Sequence, residues 1–120
     1  MTSTLRLSLW RAAAAASTLV ILSTLLLPAD RLPSTSLGGA DKIAHAILFF
    51  VWSLTCHRSG LRTWRLLVLG LALAVSTEAG QWLMGVGRTA DHADVAADLV
   101  GIVLGATASK AVPARGPDRT

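Results

Sequence analysis

The stretch that decides the fold runs from Ala93 to Val112, ADVAADLVGIVLGATASKAV. A helix needs about 20 residues to cross a hydrocarbon core of about 30 Å, and this one carries only Asp94, Asp98 and Lys110 as charges. At 3.6 residues per turn, Asp94, Asp98, Gly101, Gly105 and Ser109 fall on one stripe, acidic at its start and small-residue beyond. Gly101 and Gly105 have the GxxxG spacing that lets a second helix approach closely. An Asp at mid-membrane costs about 2.5 to 3.5 kcal/mol on the insertion scale, so the stripe is expected to face the interior of a bundle.

Three further apolar runs precede it. Ala12 to Leu27 is free of charge, is preceded by Leu7 to Trp10 with Arg11 between, and ends at Pro28. Arg6 and Arg11 ahead of an apolar run also fit a secretory leader, but a cut after Ala29 would put Leu27 and Ala29 at the recognition positions, a poor small-x-small match. A retained anchor is the expectation. Ile43 to Cys56 is short for a span unless Asp41, Lys42 and His57 serve as interfacial ends, and Leu66 to Met84 holds one charge, Glu78. The predicted architecture is an all-α, four-transmembrane-helix bundle over 1–112, with helices near 7–27, 42–57, 65–84 and 93–112 and a polar tail over 113–120. The connections are short, which favours antiparallel packing of sequential neighbours.

Composition agrees. Of 120 residues, 52% are hydrophobic and 15% charged, against about 25% charged in a soluble domain. The formal net charge of +4 does not mark a nucleic-acid binder, because the basic residues are not gathered on a polar face. One cysteine, Cys56, permits neither an internal disulfide nor a Cys-x-x-Cys site. The positive-inside rule gives the orientation. With a cytoplasmic N-terminus, the inner side carries Arg6, Arg11, Arg58, Arg62, Arg65, Lys110, Arg115 and Arg119, and the outer side Arg31, Lys42 and Arg88. Trp10 and Trp64 then lie at the inner interface and Trp82 at the outer one. Both termini are expected in the cytoplasm.

In that topology the unusual residues collect at the outer end. Asp41, Lys42 and His45 open the second helix, with Asp41, His45, Leu48 and Trp52 on one face; Glu78 and Gln81 close the third; Arg88, Asp91 and His92 lie in the last connection; Asp94 and Asp98 open the fourth. Asp41, Asp91 and Asp94 also suit helix capping or the helix dipole. Glu78 and Asp98 are intramembrane acids, which mark functional sites by default. His57 and Cys56 read as loop or interface residues, and GxxxG as packing within the chain.

These residues resemble the VanZ-like family of bacterial membrane proteins, over Asp41 to Gly105. The D-K-x-x-H motif stands as Asp41-Lys42-Ile43-Ala44-His45, followed by Phe49 and Phe50, and the E-x-x-Q pair as Glu78-Ala79-Gly80-Gln81. The last motif, G-R-T-x-D-x-x-D-x-x-x-N-x-x-G-x-x-x-G, stands as Gly87-Arg88-Thr89, Asp91, Asp94, Asp98, Gly101 and Gly105, with Asp98 where the family pattern has Asn. The resemblance implies a multi-pass protein of the bacterial inner membrane with a cell-envelope role, the founding member being associated with teicoplanin resistance. It implies no mechanism.

Three chemistries follow from the residues. In the first, Lys42 and Arg88 contact the headgroup of a membrane lipid or a lipid-linked wall precursor while Asp41, His45, Glu78, Gln81, Asp91, Asp94 and Asp98 line and orient the site. In the second, an intramembrane enzyme uses His45 or Glu78 as general base, although no Ser or Cys lies in the cluster and Thr77 and Thr89 lack a nucleophile setting. In the third, His45, Glu78, His92 and Asp94 hold a metal, but no H-x-x-x-H or H-E-x-x-H spacing is present. The expectation is therefore binding without metal or cofactor, no nucleic-acid partner, and oligomerisation left open. A proton-coupled transporter is disfavoured by the scarcity of acids on the inner half.

Overall fold

The computed structural model describes residues 2–26, 40–83 and 92–112, with the side chains at 25, 26, 40, 41 and 81 outside the description. Among these residues the chain is all-helical, with four helices and no strand: α1 (Ser3–Leu26), α2 (Ala40–Arg58), α3 (Thr63–Leu83) and α4 (His92–Ala111). Of these, α1 is long and apolar enough by length and composition to cross a membrane, over Ser3–Thr24. The other three interrupt their apolar runs with the polar residues singled out above.

Local chemistry sets the ends. α1 starts ahead of its apolar run because the Thr2 hydroxyl oxygen accepts the Leu5 amide at 3.2 Å, the N-cap bond that satisfies one orphan donor of a first turn. α2 stops at Gly60, whose φ of 104° is the left-handed conformation that glycine adopts without a Cβ penalty. Two reverse bonds complete the stop, Leu61 N–H to Cys56 carbonyl at 3.2 Å and Gly60 N–H to His57 carbonyl at 3.1 Å. This is the Schellman arrangement, and Leu61 packs on the core beside it. Pro28, Pro113, the 113–120 tail and the connection bearing Arg88 and Asp91 lie outside the described residues.

The apolar core is small: Ile21, Phe49, Trp52, Cys56, Leu66, Ala74, Ile102 and Ala106. Large aliphatic and aromatic side chains instead cover the outside, among them Leu19 at 64% exposure, Val68 at 60% and Trp82 at 62%. Polar side chains occupy the interior, including Ser53, Thr55, Thr77, Glu78, Asp94, Asp98 and Ser109.

The most extensive contact joins α2 to α4, which are not neighbours in sequence, rather than the sequential pairs that short connections favour. The physical reason is the glycine stripe. A Cβ at Gly101 would overlap the Ala46 carbonyl oxygen, and one at Gly105 would stand 2.5 Å from the Phe50 carbonyl oxygen and 2.8 Å from Ser53 Cβ. The two helices therefore meet backbone to backbone, as small residues permit in apolar surroundings. Both α2 and α4 begin at the end that carries Lys42, His45, Asp94 and Asp98, so they run parallel.

Hydroxyl groups lace the rest. Ser53 Oγ donates to the Ile102 carbonyl at 2.6 Å, and Trp52 Nε1 donates to Thr18 Oγ1 at 3.0 Å. Ser17 and Thr55 hydroxyls lie 3.2 Å apart. His57 Nδ1 sits 2.7 Å from Ser109 Oγ, and Cys56 beside it is buried. Cys56 is thus a core residue of α2 and not the loop or interface residue expected from the sequence, whereas His57 is half-buried in the last turn of the helix. Hydrogen bonds of this kind contribute about 0.5 to 1.5 kcal/mol each, net of the bonds to water that they replace.

The close approach has a direct test. Gly101→Ala drives a methyl group into the α2 backbone, which has no flexible end to move aside, so it should destabilise the detergent-solubilised chain by about 1 to 3 kcal/mol. Ala96→Leu, on the exposed face of α4, should leave the thermal midpoint within a degree or so of wild type. Equal behaviour of the two variants in a melting experiment would refute the packing assignment.

Candidate functional site

The parallel pairing of α2 and α4 brings their polar first turns side by side. From α2 come Lys42 and His45, three residues apart and on one face. From α4 come Asp94 and Asp98, one turn apart and both buried. α3 runs the other way and delivers Glu78, 5% exposed, to the same end.

The contacts are specific. Lys42 Nζ donates to Asp94 Oδ1 at 2.9 Å, with the lysine side chain 39% exposed and the aspartate 12%. A pair this open to solvent adds little stability, about 0 to 1 kcal/mol; its effect is to place an ammonium at the rim of the cluster. The other carboxylate oxygen, Asp94 Oδ2, lies 3.9 Å from His45 Nε2. On the opposite side of the imidazole, His45 Nδ1 is 2.8 Å from Asp98 Oδ1, and Asp98 is fully buried. An ionised carboxylate only accepts hydrogen bonds, so an ionised Asp98 fixes the proton of a neutral His45 on Nδ1 and directs the Nε2 lone pair toward Asp94. One donor atom from each of His45, Glu78 and Asp94 lies within 4.8 Å of the other two.

The motif that this stretch resembles has Asn where this chain has Asp98. An amide oxygen at the same position would still accept from His45 Nδ1–H, so the histidine can be oriented either way.

Of the residues singled out in the sequence, Lys42, His45, Glu78, Asp94 and Asp98 are brought together. Gly101 and Gly105 lie directly below them on α4, against α2. Asp41 and Gln81 fall in the first turn of α2 and the last turn of α3, with their side chains outside the description, and Arg88 and Asp91 lie outside the described residues. His92 opens α4 exposed and is not among the three converging donors. Thr77 is buried with its hydroxyl donating to the Ala74 carbonyl at 3.0 Å, which ties it to its own helix and away from nucleophilic use. The opposite end of the bundle carries cationic and aromatic groups, with Arg58 5.9 Å from the Trp10 ring centre and Arg65 5.2 Å from that of Trp64.

The comparison with protein families fits this arrangement. The family model described as VanZ/LLP1 matches residues 4–112, nearly the whole chain. The chain belongs to the VanZ/LLP1 family. No curated protein and no solved structure matches it. For this VanZ/LLP1 chain the motifs D-K-x-x-H, E-x-x-Q and D-x-x-x-D are therefore not scattered patterns, since Lys42, His45, Glu78, Asp94 and Asp98, one or two residues from each, share one polar cluster.

Asp98 supplies the prediction here. Asp98→Ala leaves His45 Nδ1 without this acceptor in a buried setting, which should cost about 1 to 3 kcal/mol. Asp98→Asn keeps an acceptor oxygen and should lose less than half of that, read from thermal melts of the solubilised protein. Equal losses in the two variants would mean that the bond to His45 is not what Asp98 contributes.

Proposed function

We propose that this VanZ/LLP1 protein is a multi-pass protein of the bacterial cytoplasmic membrane that binds the anionic headgroup of a lipid or lipid-linked wall precursor at the outer end of its bundle. One observation carries the reading: a mixed-charge cluster with buried carboxylates sits at one end of a bundle whose outer surface is apolar. In water such a surface would be covered; in a bilayer it faces acyl chains, and the polar interior becomes the place where chemistry can occur. The span of α1 and the bias of Lys and Arg toward the opposite end support both termini on the cytoplasmic side.

Lys42 is the group that meets the ligand. Its ammonium is partly exposed and held by Asp94, so an incoming phosphate can share or replace that carboxylate through charge-assisted bonds. Arg88, in the motif that also carries Asp94, supplies the second cation. His45, oriented by Asp98, and Glu78 line the inner side and accept from hydroxyl or amide groups of the headgroup. The same site links the protein to the glycopeptide response that family resemblance implies.

Lipids retained by the purified chain provide the test. Mass spectrometry of the wild-type protein should show anionic phospholipid or lipid-linked wall precursor enriched over zwitterionic lipid. Lys42→Gln and Arg88→Gln should each lower that enrichment several-fold, and cells expressing either variant should lose any change in teicoplanin susceptibility that the wild type confers. Unchanged retention in both variants, at wild-type expression, would refute the headgroup reading.

A further inference from the structure

The three donors that converge from three helices have a chemistry of their own. His45 of α2, Glu78 of α3 and Asp94 of α4 each offer one ligand atom, and these three atoms all lie within 4.8 Å of one another. We propose that they form a binding site for a first-row divalent metal ion, with Zn²⁺ the best-fitting occupant. The proposal rests on the cluster and not on the headgroup reading.

Four features support it. The donor set is one imidazole and two carboxylates, a mixture of ligands that suits transition divalent ions better than the all-oxygen shells of Mg²⁺ or Ca²⁺. The spacing is close to that of a closed site: metal–ligand bonds of about 2.0 to 2.2 Å put tetrahedral ligands about 3.4 Å apart, and His45 Nε2 and Asp94 Oδ2 are already 3.9 Å apart. The Glu78 donor lies within 4.8 Å of both. The second sphere is built as well, because metal-binding histidines bond through their other ring nitrogen to a carboxylate or carbonyl. Asp98, fully buried, meets His45 Nδ1 in that position at 2.8 Å. Finally, the donors come from three separate helices, so an ion would tie α2, α3 and α4 together.

Asp98 is a positioning residue in this scheme, acting through His45. Lys42 is a competitor: its ammonium neutralises Asp94 from the Oδ1 side, and that charge opposes a cation on the Oδ2 side. The site is thus tuned by two groups that do not touch the metal.

The experiment is equilibrium dialysis of the tag-free, detergent-purified full chain against Zn²⁺, with bound metal measured by elemental analysis and Mg²⁺ and Ca²⁺ as competitors. One Zn²⁺ per chain is expected, resistant to millimolar Mg²⁺ or Ca²⁺. His45→Ala and Glu78→Gln should each weaken binding at least about tenfold, and Asp98→Ala by about 10- to 100-fold, the range typical of losing an outer-sphere partner, with Asp98→Asn, which keeps an acceptor oxygen, weakening it less. Lys42→Gln should tighten it. That sign separates the metal site from the headgroup reading, in which the same variant weakens the ligand. Zn²⁺ binding below one per chain, or binding unchanged in His45→Ala, overturns the proposal. Should His45→Ala lose its helical circular dichroism, Lys42→Gln decides: tighter Zn²⁺ binding supports the site, and equal or weaker binding overturns it.

Discussion

Everything in this molecule depends on the backbone approach of α2 and α4. Gly101 and Gly105 remove the side chains that would hold the helices apart, and the Ala46, Phe50 and Ser53 segment fills the space they leave. The consequence lies one and two turns up α4. With the helices parallel and that close, His45 reaches Asp98 and Lys42 reaches Asp94. A methyl group at Gly101 would therefore be felt in the polar cluster as well as in the packing. α3 has a lighter hold on the bundle, through Leu66, Ala74 and the close seat of Gly70 against Ile102 and Trp52, and it contributes Glu78 near the end of its run.

The distribution of polarity explains why such a small chain can hold a buried ionic cluster. Isolated carboxylates in an apolar interior are costly, and they survive where each meets a partner of matching chemistry. Lys42 and His45 supply those partners for Asp94 and Asp98. Hydroxyls lower the cost of the remaining polar surface by bonding across helices, as Ser53 does to Ile102, or back to their own helix, as Thr107 does to Val103. Association therefore leans on close packing and internal hydrogen bonds, seen in the backbone approach at Gly101 and Gly105 and the crossing bonds of Ser53 and Trp52.

Much of this was legible in the sequence. Helical period alone places Asp94, Asp98, Gly101, Gly105 and Ser109 on one stripe, and all five are buried; Leu48 and Trp52 likewise follow His45 to the interior. Motif order identifies the family before any coordinates. What the sequence does not carry is the choice of partner for the stripe. Short connections point to sequential neighbours, whereas the α2 and α4 pairing follows from surface shape at Ala46 and Phe50. The serine and threonine bonds are illegible for a related reason, since Thr18 bonds both to its own Ala14 carbonyl and to Trp52, and composition cannot distinguish a local bond from a crossing one. The convergence of His45, Glu78 and Asp94 escapes local spacing rules because its members lie on three helices. The expected four membrane spans rest on accepting interrupted apolar runs in α2, α3 and α4, while α1 alone meets the length and composition of a span among the described residues.

The central claim is that α2 and α4 meet so closely that Asp98 holds the His45 ring. The most direct measurement is solid-state NMR of the full chain in lipid bilayers, with ¹⁵N-labelled histidine and aspartate carrying ¹³C at its carboxylate. There are three histidines, and a His45→Gln sample assigns the His45 signal. The expected result is a protonated Nδ1 on His45, an unprotonated Nε2, and a strong dipolar contact from Nδ1 to one aspartate carboxyl carbon that disappears in Asp98→Ala. A His45 signal with no carboxyl contact, or one that persists unchanged in Asp98→Ala, would contradict it.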